Sequence, residues 1–143
     1  MRGEGMDYTI GEFADLFAIQ PYTLRFYEQQ HILEPQRDEN NRRVYNEWHK
    51  EWMRFIFHLK RTGMTIEEIR KYVDLRSIGE STVKERYNML KRRQIELKSE
   101  IKDQLASLTV LDEKVAYYER VMAGKGEQFE LSPDALLYNN YHI

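Results

Sequence analysis

Residues 21–30 read PYTLRFYEQQ, in which polar and aromatic side chains recur around the turn of a helix. At about 100° per residue, Leu24, Tyr27 and Glu28 share one face. The opposite face carries Tyr22, Arg25, Phe26 and Gln29. Arginine and glutamine suit phosphates and base edges, and aromatic rings pack against sugars. If the Leu24 face packs inward, the other face has the chemistry of a nucleic-acid contact. The alternative is ordinary core packing between two helices.

A second group of cationic side chains follows, at Arg37, Arg42 and Arg43, and spans seven residues. The turn-forming run 38–41, Asp-Glu-Asn-Asn, lies between them and predicts a β-hairpin. Pro35 confines the first strand of that hairpin to an edge. The chain has a net charge of −2, so bulk charge argues weakly against DNA and any phosphate-binding surface must be local. Arginines in a hairpin that are merely solvated are the alternative.

Two short helices must position the first group. Thr9 and Glu12 form a capping-box pattern, and an apolar stripe follows at Ile10, Phe13, Ala14 and Phe17. After a break of three residues, Pro21 occupies the favoured first position of a new helix. This spacing predicts a helix-turn-helix unit.

Two further helices follow the hairpin. Asn46 caps the third helix, in which an apolar stripe recurs at 4, 3, 4 spacing and which Gly63 ends. The stripe is Trp48, Trp52, Phe55 and Leu59. A second capping box at 65–68 opens the fourth helix, which we expect to bury Ile66, Ile69 and Val73.

From Ser81 to Met122 there is neither proline nor glycine, and a heptad repeat persists for more than five heptads. We expect the dimerisation contacts at Tyr87, Leu90, Leu97, Ile101, Leu108, Leu111 and Val115. A helix of about 40 residues is roughly 60 Å long. The N-terminal module cannot cover such a stripe, so a second copy of the chain is the expected partner.

Catalytic and metal chemistry lack the residues they need. The chain has no cysteine, its four histidines show no ligand spacing, and there is no glycine-rich phosphate loop. We therefore expect no enzyme activity, no metal and no cofactor. No apolar run is long enough to cross a membrane, and the first residues lack the apolar region of a secretory signal, which predicts a cytoplasmic protein.

The motifs of residues 8–75 resemble, in unbroken order, the MerR family of bacterial transcription regulators. The matching runs are Ile10-Gly11-Glu12-x-Ala14, Thr23-Leu24-Arg25-Phe26-Tyr27-Glu28, Pro35-x-Arg37, Asn41-Arg42-Arg43-x-Tyr45 and the segment Phe55 to Ile69. The long heptad helix follows where that family has its dimerisation helix.

The resemblance implies a mostly α fold: a winged helix-turn-helix domain followed by a long helix that forms an antiparallel coiled coil with a second subunit. The hairpin would be the first wing, and the helices at 47–62 and 66–75 the second. Carried over by position, Arg25, Phe26 and Tyr27 meet DNA from the recognition helix. Arg37, Arg43 and Tyr45 meet it from the first wing, and Lys60 from the second.

In such a regulator a homodimer binds a pseudo-palindromic promoter and distorts the DNA, so that RNA polymerase engages both promoter elements when an effector binds. Two residues depart from the family pattern: Phe26 stands where a second tyrosine is frequent, and His31 where glycine is usual. The absence of cysteine makes metal- and thiol-based sensing unexpected.

The resulting domain prediction is a DNA-binding domain at 7–76, a coiled-coil helix at 81–122 and a short tail at 123–143. Tyrosines near the end of the chain suggest a small-molecule effector site, at Tyr117, Tyr118, Tyr138 and Tyr141. The alternative for these is simple packing of the tail. The alternative for the whole chain is a coiled-coil protein-interaction module that does not bind DNA.

Overall fold

The computed structural model describes residues 7–124, which form two units divided between Arg93 and Gln94. The helices are α1 (Ile10–Leu16), α2 (Pro21–Gln29), α3 (Glu47–Arg61), α4 (Ile66–Ile78) and α5 (Val83–Met122), with a 3-10 turn at Glu80–Thr82. Strands β1 (Gln36–Arg37) and β2 (Arg43–Val44) pair antiparallel. The predicted fold class, mostly α with a helix-turn-helix, a wing and a long C-terminal helix, is confirmed.

Capping boxes begin three of these helices. The Thr9 hydroxyl accepts from the Glu12 amide at 3.2 Å, and the Glu12 carboxylate accepts from the Thr9 amide at 2.9 Å. Thr65 and Glu68 repeat this arrangement at the start of α4. Both boxes were predicted, and both satisfy amide groups that the first turn of a helix leaves unpaired.

The cap of α3 involves a histidine that the sequence did not suggest. Asn46 Oδ1 accepts from the His49 amide at 3.1 Å, and His49 Nδ1 accepts from the Asn46 amide at 2.9 Å. His49 Nε2 must then carry the proton and donate to the Glu34 carbonyl at 2.8 Å. The ring is buried, which lowers its pKa and favours this neutral form. His49 thereby fixes the hairpin's entry to the start of α3.

The core of the first unit is built on aromatic rings. Phe13 from α1 stacks on Tyr45 with ring centroids 4.4 Å apart and planes within 6°. Trp52 is also buried, and its Nε1 donates to the Ile32 carbonyl at 2.8 Å. Leu24 places the inner face of α2 in the same cluster. The first three helices and the hairpin therefore share one core.

The buried faces of α3 and α4 differ in part from the predicted stripes. In α3, Trp48 is 52% exposed and the inward positions include Met53 and Ile56, both fully buried. In α4, Ile69 and Tyr72 are buried, whereas Ile66 and Val73 are only half-buried. At about 100° per residue a stripe at 4, 3, 4 spacing drifts by only about 20° from its first to its last residue, so drift is not the reason. The core-facing side of α3 is instead rotated toward His49, Met53 and Ile56. The buried side of each helix is therefore set by how the helix packs on the core and not by the position of its largest side chains.

Candidate nucleic-acid interface

The outer face of α2 carries the side chains that the sequence placed there. Tyr22 is 67% and Phe26 39% exposed, and Arg25 is exposed beside them. Leu24 and Tyr27 are buried against the core. The predicted division of this helix into a packing face and an outward face is confirmed. The outward face presents a cation and two aromatic rings to a ligand.

Tyr27 belongs to the packing side, although the resemblance gave it a DNA contact. Its ring lies edge-on to Phe26 at 5.7 Å and to Phe57 at 5.8 Å, and only 5% of the residue is exposed. Burial raises the pKa of its hydroxyl, which keeps it protonated. In this structure Tyr27 packs against Phe26 from the buried side of α2.

A tight turn holds the hairpin beside α2. The Asp38 carboxylate accepts from the amides of Asn40 at 2.9 Å and Arg42 at 2.8 Å. Asn41 adopts a left-handed conformation, with φ of 61°, which asparagine tolerates. In the ladder Arg37 lies opposite Arg43. The turn therefore brings Arg37 and Arg43 to opposite positions of the ladder.

Glu28 joins the wing to the recognition helix. One carboxylate oxygen accepts from Arg43 Nε at 2.6 Å, and the other accepts from Arg37 Nη2 at 3.0 Å. Arg37 also donates from Nη1 to the Asn41 carbonyl at 3.4 Å. These charge-assisted contacts lie at the surface but are partly screened from water, with 21% of the Glu28 side chain exposed. The sequence assigned Glu28 to the packing edge and missed this role.

Arg42 and Lys60 are both exposed. Within residues 7–124 the Arg42 guanidinium makes no hydrogen bond or ion pair. Lys60 lies near the end of α3 and lines a groove together with Phe17 and Phe57. Arg61 lines the same groove. Both predicted cations are therefore placed where a polyanion could reach them.

The structure corrects the role expected for Tyr45. The resemblance placed it in contact with DNA, but the residue has no exposed surface. Its ring is held between Phe13 and His49, and its backbone pairs with Tyr8 through hydrogen bonds of 2.6 and 2.9 Å. Burial raises the pKa of its hydroxyl to about 12, against the lowering effect of Arg43. Tyr45 is a core residue that supports β2 from beneath.

The predicted dimerisation residues lie on α5. They are mostly exposed in the single chain, namely Tyr87, Ile101, Leu108, Leu111 and Val115. Leu97 is half-buried. Leu90 is half-buried because it packs against the core of its own first unit. The heptad positions of α5 therefore carry an apolar surface that residues 7–124 leave largely exposed.

Of the proposed effector tyrosines, Tyr117 is buried and Tyr118 is 46% exposed. Their rings lie edge-on at 5.2 Å, and the Lys114 amine lies 5.9 Å from the Tyr117 ring. Tyr138 and Tyr141 lie outside the described residues. Across 7–124 no group of three histidine or acidic side chains could hold a metal ion, and no helix is both long and apolar enough to span a bilayer.

Comparison with known proteins decides the family. The family model for the MerR HTH family regulatory protein matches residues 8–75, and the model for MerR DNA binding matches residues 50–114. An HTH-type transcriptional regulator of Haemophilus influenzae is 30% identical over 119 residues, which cover 82% of this chain and 88% of that protein. The chain belongs to the MerR family.

Solved structures agree with this assignment. The MerR family regulator HiNmlR, which lacks the sensor domain and was crystallised bound to promoter DNA, superposes with a TM-score of 0.77 at 30% identity. That match covers 85% of this chain and 97% of HiNmlR. A MerR family regulator from Listeria monocytogenes superposes with a TM-score of 0.75 at 28% identity, covering 82% and 89% of the two chains. These relatives are transcription regulators and not enzymes.

Proposed function

We propose that this MerR protein is a homodimer that binds a pseudo-palindromic promoter duplex through α2 and the hairpin wing. The observation that carries the proposal is the outward face of α2, with Arg25 and Phe26, together with Arg43 of the wing, whose Nε contacts Glu28 of the same helix. A helix at that position can enter the major groove while the wing contacts the backbone. HiNmlR, similar along most of this chain, was crystallised bound to promoter DNA.

Dimerisation would follow from the apolar surface of α5. Burial of one large apolar side chain contributes about 1.5–3 kcal/mol. Association costs roughly 4–15 kcal/mol, so a handful of buried side chains on each helix is enough to offset it. Several exposed heptad side chains can supply this burial, at Ile101, Leu108, Leu111 and Val115. We propose the antiparallel pairing of the family, with residues 7–76 as the DNA-binding domain and 81–122 as the dimerisation helix.

Regulation would work through the shape of the promoter. A dimer that bends or untwists its site uses deformation energy and not extra base contacts, and this energy can be changed by an effector. We propose that the effector acts near Tyr117 and the tail at 123–143, and that RNA polymerase is the partner that responds. A regulator of a bacterial promoter acts in the cytoplasm, where the chromosome lies. Truncation after Ala123 tests the tail, because unchanged induction would place the sensor elsewhere.

The spacing of the two half-sites tests dimeric binding directly. Two recognition helices on one two-fold axis must reach half-sites on a fixed face of the duplex. Inserting about five base pairs, half of one 10–10.5-bp turn, should therefore weaken binding strongly. A matched duplex with substitutions but no insertion in the spacer is the control. Equal affinity for the inserted and the control duplex would contradict binding as a two-fold dimer.

The salt dependence of binding distinguishes DNA binding from the competing function, a coiled-coil module that binds another protein. Phosphate contacts release counterions, so DNA affinity falls steeply as salt rises, with a slope of about −0.9 per phosphate contacted. A slope near zero on promoter DNA would favour the protein-interaction module.

A further inference from the structure

We propose that Glu28 is a positioning residue for DNA binding, and that it gives the two wing arginines different tasks. In this division Arg43 contacts a DNA phosphate, whereas Arg37 locks the wing to α2. The inference rests on the proposed function and goes beyond it, because Glu28 itself would never contact DNA. It rests on which guanidinium nitrogens the protein already uses.

Arg43 gives only its inner nitrogen to the protein. Its Nε donates to Glu28 Oε1 at 2.6 Å, and neither Nη atom has a hydrogen-bond partner within residues 7–124. The guanidinium plane is therefore fixed at one edge, while the edge formed by the two Nη groups stays free. Two parallel N–H groups on that edge match the oxygens of a phosphate.

Arg37 is already occupied at its outer edge. Its Nη2 donates to Glu28 Oε2 at 3.0 Å and its Nη1 donates to the Asn41 carbonyl at 3.4 Å. The same two nitrogens are the ones that would grip a phosphate. Arg37 instead connects the helix, the carboxylate and the turn of the hairpin. The two arginines face each other across the ladder, yet they present different groups to a ligand.

Glu28 can fulfil this role because it is partly shielded. The side chains of Glu28 and Arg43 are 21% and 27% exposed, so water competes less for this contact than for an open surface pair. An arginine side chain fixed before binding loses less rotamer entropy when it meets the phosphate. Removing the carboxylate would free the guanidinium, and the wing would then have to order itself during binding.

Charge and positioning predict opposite signs for the substitution Glu28→Gln. The variant is one unit more positive, so charge alone should tighten its binding to DNA. If Glu28 positions Arg43, the same variant should bind the specific duplex about five- to tenfold more weakly. The effect should be clearly smaller when Arg43 is already alanine, because Glu28 then has only its contact with Arg37 left to lose.

A double-mutant cycle on the full-length chain measures this coupling. Binding to a promoter duplex and to a random duplex is recorded against salt for wild type, Glu28→Gln, Arg43→Ala and the double variant. Arg43→Ala should lower the salt slope by about 0.9. Arg37→Ala should weaken binding but leave that slope unchanged. Tighter binding by Glu28→Gln, or an equal loss with and without Arg43, would overturn the proposal.

The outcome can be told apart from a failure of the proposed function. If the wild-type chain shows no preference for the promoter duplex, the proposed function fails before any variant is tested. If wild type prefers it and the cycle is additive, only the positioning role of Glu28 fails. Should Glu28→Gln not unfold cooperatively, Glu28→Asp replaces it. That variant keeps the charge but shortens the side chain, and it should also bind the specific duplex more weakly.

Discussion

Replacing Ala18 by glycine should stabilise the protein, although the same change destabilises a helix. Ala18 lies in the turn between α1 and α2 with φ of 54°, a left-handed conformation that glycine adopts freely. A left-handed conformation costs a residue with a Cβ about 1–2 kcal/mol of stability. Glycine avoids that cost, but it loses about 0.5–1 kcal/mol more conformational entropy on folding than alanine does. Ala18→Gly should therefore raise the free energy of unfolding by about 0.5–1 kcal/mol.

Ala106 provides the matched control. It is exposed in the middle of α5, where Ala106→Gly should cost about 1 kcal/mol. The two variants carry the same chemical change and should shift stability in opposite directions.

Denaturant unfolding followed by two signals separates these effects. Trp48 and Trp52 both lie in α3, so their fluorescence reports the first unit. Far-ultraviolet circular dichroism reports the helices together, including α5. Protein concentration must be equal throughout, because association of subunits adds to apparent stability. If Ala18→Gly lowers the unfolding midpoint as Ala106→Gly does, the left-handed turn between α1 and α2 is not the conformation in solution.

Further predictions concern three positions: His31, Tyr45 and Leu108. His31 also has a left-handed φ of 61°, so His31→Gly should stabilise by about 0.5 kcal/mol in thermal unfolding, and His31→Ala should not. Within residues 7–124 the buried Tyr45 hydroxyl has no hydrogen-bond partner, so Tyr45→Phe should leave stability unchanged or raise it by about 1 kcal/mol; a loss above that size would reveal a missing partner. Folding raises the Tyr45 pKa from 10.0 to about 12, so the contribution of its protonated hydroxyl to the free energy of unfolding is present below pH 10 and is lost as pH rises through about 12. In a titration of stability against pH, the Tyr45→Phe variant should lack this loss. Leu108→Glu should dissociate the proposed dimer in sedimentation, whereas Ala106→Glu, on the opposite face of α5, should not.

The sequence was most informative where a local pattern determines the structure. Thr9 and Thr65 with their glutamates predicted two helix starts, because a capping box satisfies groups within four residues of each other. The two faces of α2 were also predictable, since the 3.6-residue period of a helix determines which of its nine side chains lie on the same side. Gly63, with φ of 100°, ends α3 as its position suggested.

Contacts between distant segments were not predictable in the same way. Glu28 lies on α2 and meets arginines nine and fifteen residues later, a meeting that depends on how the hairpin folds back. Tyr45 was expected at the surface, but the pairing of Tyr8 with Tyr45 turns its ring inward against Phe13. A clue to Glu28 was present, since it is the only carboxylate of α2 and three arginines follow in the hairpin, yet only the register of the ladder determines which arginine it meets.

His31 illustrates how a departure from a family pattern can be resolved. Histidine replaces the usual glycine after the recognition helix, which suggested an altered turn. The backbone nonetheless adopts the left-handed conformation that glycine would favour, and the amides of His31 and Ile32 still donate to Glu28 and Tyr27 at 2.9 and 3.0 Å. The turn is kept at a small cost in stability.

Competition between duplexes at physiological salt tests the central proposal most directly. The full-length protein is equilibrated with a labelled duplex from its own upstream region, and unlabelled specific and random duplexes are compared as competitors. Sequence-specific regulators prefer their sites by roughly 10³-fold or more. We expect the specific duplex to compete at least about a thousandfold better than the random one. Equal competition by the two duplexes would contradict a role for this protein as a promoter-binding regulator.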